Sequence, residues 1–162
     1  MNKSLLFLAF TLALSMSLHS QKNLNISVRA SHAVGISSEV FKLGIDSDIS
    51  YHSFVLENLM LGGSVGYGHI FVESLDRYPG ELFEDYNYVP ILASVKVYAA
   101  DLFFLAVQPG YAITFQDYRD NGFIFRAKAG YNLSPSLDVV ASYQEISQLR
   151  LPTVGLGLNF YL

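Results

Sequence analysis

Few residues in this chain have side chains suited to chemistry. After the first twenty residues three histidines remain, His32, His52 and His69, and the chain has no cysteine. Disulfides, thiolate metal sites, a cysteine nucleophile and a lipidated N-terminal cysteine are therefore excluded. A hydrolase needs a nucleophile and a base within hydrogen-bond reach. His52 adjoins Ser53, but successive residues of a strand point to opposite faces. His52 and Ser50 share a face, an arrangement common by chance, and no catalytic set stands out. Gly62, Gly63, Gly66 and Gly68 lack the Lys-Ser/Thr and the helix that complete a phosphate loop, so they read as relief in a crowded or bent strand.

Two groups of charges are more informative. The first is an acidic stretch, Glu73, Asp76, Glu81, Glu84 and Asp85 against Arg77 alone, with Tyr78, Phe83 and Tyr86 interleaved. Oxygen-rich clusters suit hard cations, but EF-hand spacing is absent. A solvated surface loop is the plainer account, and an extracellular interaction site for a cationic peptide, a protein or a divalent cation is the sharper one. The second group is Arg29, Lys42, Asp46, Asp48, Lys96, Arg126, Lys128 and Asp138, each on the polar side of an alternating segment. Its sharp reading is a polar conduit. The plainer reading is a structural plug of ion pairs, since buried charges are tolerated only when paired. Five bases against three acids leaves bases to meet water, Gln108, Gln144 or tyrosine hydroxyls. No metal or cofactor is expected.

The elements that must hold these charges follow from a period of two. Eight segments alternate. Their apolar faces begin Leu24-Ile26-Val28, Phe41-Leu43-Ile45, Leu59-Leu61-Val65, Val89-Ile91-Ala93, Phe103-Leu105-Val107, Phe123-Phe125-Ala127, Leu137-Val139-Ala141 and Val154-Leu156-Leu158. Connections alternate as well. They are short around 55–58, 99–102 and 134–136, and longer or more polar at 37–40, 73–87, 116–122 and 146–152. Short turns at one end and long loops at the other are how a transmembrane barrel arranges its connections.

Residues 1–20 read as a secretory signal. Lys3 gives a positive start, Leu5 to Leu14 is an apolar run broken only by Thr11, and Ser15 to Ser20 is small and polar. The expected mature domain is 21–162. Losing Lys3 and no acid takes the formal charge from −4 to −5, which argues against nucleic acid as a partner. Beyond residue 21 no apolar run is long enough for a membrane helix. The hydrophobicity must lie in alternation, inside a soluble barrel or outside a membrane one.

Two features favour lipid outside. The polar face is crowded with Gly, Ser and Ala, which leave room for long charged chains within eight strands. Tyr and Phe gather near segment ends, as at Phe41, Tyr51, Phe71, Tyr111, Phe115, Phe123, Tyr131, Tyr143 and Phe160, in the manner of interfacial girdles.

From Asn23 to Leu162 the chain resembles the small outer-membrane β-barrels of the OmpA/OmpX-like, porin-family type. The residues that carry this resemblance are Val89-Pro90-Ile91-Leu92 through Gln108-Pro109-Gly110-Tyr111 and the ending Val154-Gly155-Leu156-Gly157-Leu158-Asn159-Phe160-Tyr161-Leu162. Many members close on Phe; here Leu162 closes and Phe160 shares its face. The resemblance implies recognition by the barrel-assembly machinery.

The fold expected is all-β, an eight-stranded antiparallel up-and-down transmembrane β-barrel. It would be a monomer in contact with outer-membrane lipid, with a structural or surface-interaction role and no open pore. Its rivals are restricted small-solute transport, a lipid-modifying outer-membrane enzyme and a soluble periplasmic ligand-binding barrel.

Overall fold

A computed structural model describes residues 23–35, 41–72, 85–115 and 121–162. Eight strands follow in order: β1 (Leu24–Ala33), β2 (Phe41–Leu56), β3 (Leu59–Val72), β4 (Tyr86–Ala100), β5 (Phe103–Thr114), β6 (Gly122–Ser134), β7 (Leu137–Ile146) and β8 (Leu151–Tyr161). Each pairs with its sequence neighbours, and β8 returns to β1, closing an antiparallel up-and-down barrel. Closure leaves no sheet edge, so the wall can satisfy its own backbone groups in hydrocarbon. Residues 1–22, with the predicted signal, lie outside the described residues.

The burial pattern is inside-out relative to a soluble protein. Along β1, Asn25, Ser27, Arg29 and Ser31 are buried while Leu24, Ile26 and Val28 are exposed, and the other strands repeat the theme. Exposed aromatics fall into two groups by register. Tyr51, Phe54, Phe103, Tyr131 and Phe160 lie toward the short-turn end; Phe71, Tyr111, Phe115, Phe123 and Tyr143 lie toward the other. Between them runs a belt of Val, Ile, Leu and Ala. This is a transmembrane barrel with interfacial girdles.

Two-residue turns, 57–58, 101–102 and 135–136, join β2 to β3, β4 to β5 and β6 to β7. No residue in them has positive φ, so they are not the primed turns that suit a bare hairpin. Instead the register shifts just before each one, between Phe54 and Leu56, Tyr98 and Ala100, and Asn132 and Ser134. At the opposite end a 3-10 turn, Ser147–Leu149, links β7 to β8 and closes on Arg150 in the left-handed region (φ 46°).

Of the three prolines within strands, Pro152 lies near the start of β8, and the other two interrupt a ladder. Pro90 pairs with Ala112 on β5, but the β3–β4 ladder breaks between Val65 and Gly68 beside it. Pro109 pairs with Phe125 on β6, and the β4–β5 ladder breaks between Leu92 and Val95. Each ring removes a donor toward one neighbour only, and the register is the same on both sides of each break.

Candidate functional site

Inward-facing residues form three layers. Near the loop-bearing end Ala33, Ile70, Tyr86, Tyr88, Leu92, Ala112, Ile124, Ile146 and Leu151 pack into an apolar seal, with Phe41 and Leu149 against it. Near the turn end Phe104, Ala106 and Val140 form a second, smaller cluster backed by Tyr98. The polar layer lies between.

Its centre gathers charges from three strands. Arg29 on β1 is paired across the ladder with Asp46 on β2. The Arg29 guanidinium lies 3.6 Å from Asp46 Oδ1 and 3.8 Å from Asp48 Oδ2. From β6, Arg126 Nη1 meets Asp48 Oδ2 at 3.0 Å, and Lys128 Nζ stands 3.8 Å from Asp48 Oδ1. The remaining hydrogen bonds complete a loop. Arg126 Nε donates to Gln144 Oε1 (2.8 Å), Gln144 Nε2 donates to the Tyr88 hydroxyl (2.7 Å), and that hydroxyl donates to Asp46. The crowding is relieved by glycine on the facing strand. A Cβ on Gly157 would meet Arg29 Cγ at 2.3 Å, and one on Gly66 would meet Asp48 Cβ at 2.7 Å.

Nearer the turn end, Lys96 Nζ donates to the Tyr161 hydroxyl at 2.6 Å, and that hydroxyl donates to Asp138 Oδ2 at 2.5 Å. The ammonium also lies 3.8 Å from the centre of the Phe104 ring and 4.8 Å from that of Tyr98, a cation–π arrangement.

Seven of the eight charges read from the sequence therefore face inward, and Lys42 does not. The β2–β3 register shifts between Phe41 and Gly44, which breaks the alternation. Lys42 is exposed, while Phe41, expected on the lipid face, packs against the upper seal. Among the described residues the interior thus holds four bases against three acids. Tyr86 needs a second correction. It is not a loop residue but the first residue of β4, fully buried, paired with Ile70 and stacked on Tyr88 at 5.4 Å between ring centroids. Glu73, Asp76, Tyr78, Glu81, Phe83 and Glu84 lie outside the described residues. Asp85 is described and sits just before β4 on the outer side.

Both seals were missed by the sequence reading. Their signal was present as apolar triplets that break alternation: Phe103-Phe104-Leu105, Phe123-Ile124-Phe125 and Val139-Val140-Ala141. In each, the middle residue faces inward and is almost wholly buried.

The buried histidine has a serine partner, Ser94 rather than Ser50. His52 Nε2 lies 2.9 Å from Ser94 Oγ, and the Asn25 amide nitrogen lies 3.5 Å from His52 Nδ1. Asn25 Oδ1 is taken by the Ser50 hydroxyl at 2.7 Å, so the amide turns its N–H toward Nδ1. An Nδ1 that accepts from this amide would place the ring hydrogen on Nε2, facing Ser94. A base that activates serine needs the opposite tautomer. The cavity beside these residues measures about 10 Å³, room for about one water molecule.

No known family model and no curated protein sequence matches the chain. Solved structures do match in fold. The Yersinia pestis outer membrane protein Ail, in a phospholipid bilayer nanodisc, superposes with TM-score 0.62 at 14% identity, over 87% of this chain and 99% of Ail. Ail in complex with the heparin analogue sucrose octasulfate gives 0.55 at 15%, over 88% and 100%. A de novo designed transmembrane β-barrel gives 0.60 at 17%, over 89% and 98%.

Proposed function

We propose that this chain is an outer-membrane barrel, delivered by loss of residues 1–20, that serves as a structural and surface-interaction protein and is neither a pore nor an enzyme. The observation that carries this reading is the sealed interior. Four bases and three acids lie in contact between two apolar layers, and the cavity beside His52 has room for about one water molecule. Eight-stranded barrels are filled by side chains, and this one is filled by large polar and charged groups in contact with one another. Kinship with OmpA/OmpX-like proteins belongs to the same proposal and rests on residues 89–111 and 154–162.

Function then falls to the loops. The Ail complex with a heparin analogue concerns a polyanion. Residues 73–85 here carry five acids and one base, which supports a cationic or neutral partner instead. The wall meets outer-membrane lipid as a monomer, and the barrel-assembly machinery is its partner during insertion.

Envelope fractionation, followed by a mild SDS gel of unheated against boiled protein, tests the placement. An outer-membrane band that shifts on boiling supports it, and a soluble periplasmic protein without a shift overturns it. Planar-bilayer recording tests the role. A flat trace supports a closed barrel, while steady single-channel steps would replace this reading with small-solute transport.

A further inference from the structure

The cavity beside His52, about 10 Å³, is reached from strands that share no ladder, by Gln108 of β5 and Asn159 of β8. Both side chains are buried, at 1% and 5% exposure. Gln108 Nε2 donates to Ser94 Oγ at 3.3 Å. Among the described residues, Gln108 Oε1 and Asn159 Oδ1 have no hydrogen-bond partner. An amide oxygen accepts and never donates, and buried acceptors left without a donor are rare. Lys96 and Lys128 line the same cavity. Lys128 Nζ stands 3.8 Å from Asp48 Oδ1, beyond hydrogen-bond length, so this contact leaves N–H donors over. Phe104 and Ala106, both of the turn-end apolar layer, also line it.

We propose that this cavity binds one ordered water molecule as a fixed part of the fold, donating to Gln108 Oε1 and Asn159 Oδ1 and accepting from Lys128. The size matches, since a cavity of this volume holds about one water. The chemistry selects among small species. An anion would face two amide oxygens, and a metal cation would face two lysines. Water gives two hydrogens and still accepts, and buried waters make about three hydrogen bonds to groups otherwise unpaired. So placed, the water links β5 to β8 across the lumen and ties both to Lys128 of the central cluster. The inference rests on the closed interior proposed above. Between two shut apolar layers, this water exchanges with solvent only when the barrel opens locally.

The test is a crystal structure of the full-length barrel, grown in sodium bromide and sharp enough to show ordered water. One isolated peak is expected, about 2.7–3.2 Å from Gln108, Asn159 and Lys128, without the anomalous signal of bromide. A dry cavity overturns the proposal. An anomalous peak also overturns it, because the amides would then turn their N–H groups to an anion. A file of waters crossing either apolar layer would sink the closed-barrel reading as well, which separates the two failures. A folding assay gives a second measurement. Gln108→Met and Asn159→Leu each remove one acceptor, and a shared water makes their effects overlap. The double variant should lower the urea midpoint by clearly less than the two single shifts added, with the heat-shift on gels retained. Additive shifts would mean that no water joins the two side chains.

Discussion

The ring of Phe104 occupies the place where Gly130, its cross-strand partner, would carry a side chain: a Cβ there would lie 2.1 Å from the ring. Tyr88 and Gly68 stand in the same relation on β4 and β3, at 2.3 Å. Each bulky ring fits inside an eight-stranded wall because the next strand leaves the position empty. Gly130→Ala should cost about 1–3 kcal/mol through overpacking, read as a lower urea midpoint in a reversible lipid-vesicle folding assay. Adding Phe104→Leu to Gly130→Ala should recover part of the loss. If the single variant is neutral, the ring is not fixed there.

Lys96 and Asp138 should behave as a unit. Removing either alone leaves a buried charge without its partner, at about 3–5 kcal/mol. The double replacement Lys96→Met with Asp138→Leu should cost much less than the two singles added. A double-mutant cycle on the same folding assay measures this, and additive losses would show that the two groups act independently.

Depth in the membrane can be read from arginine placed on the outer wall. Val107 lies in the aliphatic belt, facing Val95 and Ala127 across its two ladders, whereas Phe115 sits at the loop-end girdle. Val107→Arg should destabilise by about 2–4 kcal/mol and Phe115→Arg by about 0–1 kcal/mol. Equal costs would contradict a bilayer centred on the belt.

The His52 tautomer gives a chemical prediction. If its ring donates to Ser94, neither Ser94→Ala nor His52→Gln should change the lipid profile of cells that express the barrel, as measured by mass spectrometry of extracted envelopes. A product lost in both variants would restore the lipid-modifying enzyme.

Strand number, facing and the loop-and-turn plan were legible in the sequence because a wall between lipid and a polar interior imposes a period of two on every strand. The errors fall where another constraint overrides that period. Lys42 was misplaced because a register shift beside Gly44 lets Phe41 turn inward. Tyr86 was taken for loop because acids precede it and Asn87 follows, yet the ladder extends to it and a capping layer there requires large apolar groups. Partners within the interior were not legible. Ser94 reaches His52 from a strand two places away, and Asp46 is shared among Arg29, Tyr88 and Arg126. Periodicity gives the face of a residue, not its neighbour across the lumen.

The central charge cluster also bears on when the barrel can fold. Its acids come from β2, its bases from β1 and β6, and the Lys96–Asp138 pair is joined by a tyrosine from β8. No contiguous hairpin contains a neutral set. A partly formed sheet would carry unmatched ions that only water can solvate, so these strands cannot be committed to hydrocarbon one hairpin at a time. Pairing of these charges and the meeting of β1 with β8 therefore become one cooperative event, and insertion intermediates should keep the future lumen wet until the seam shuts.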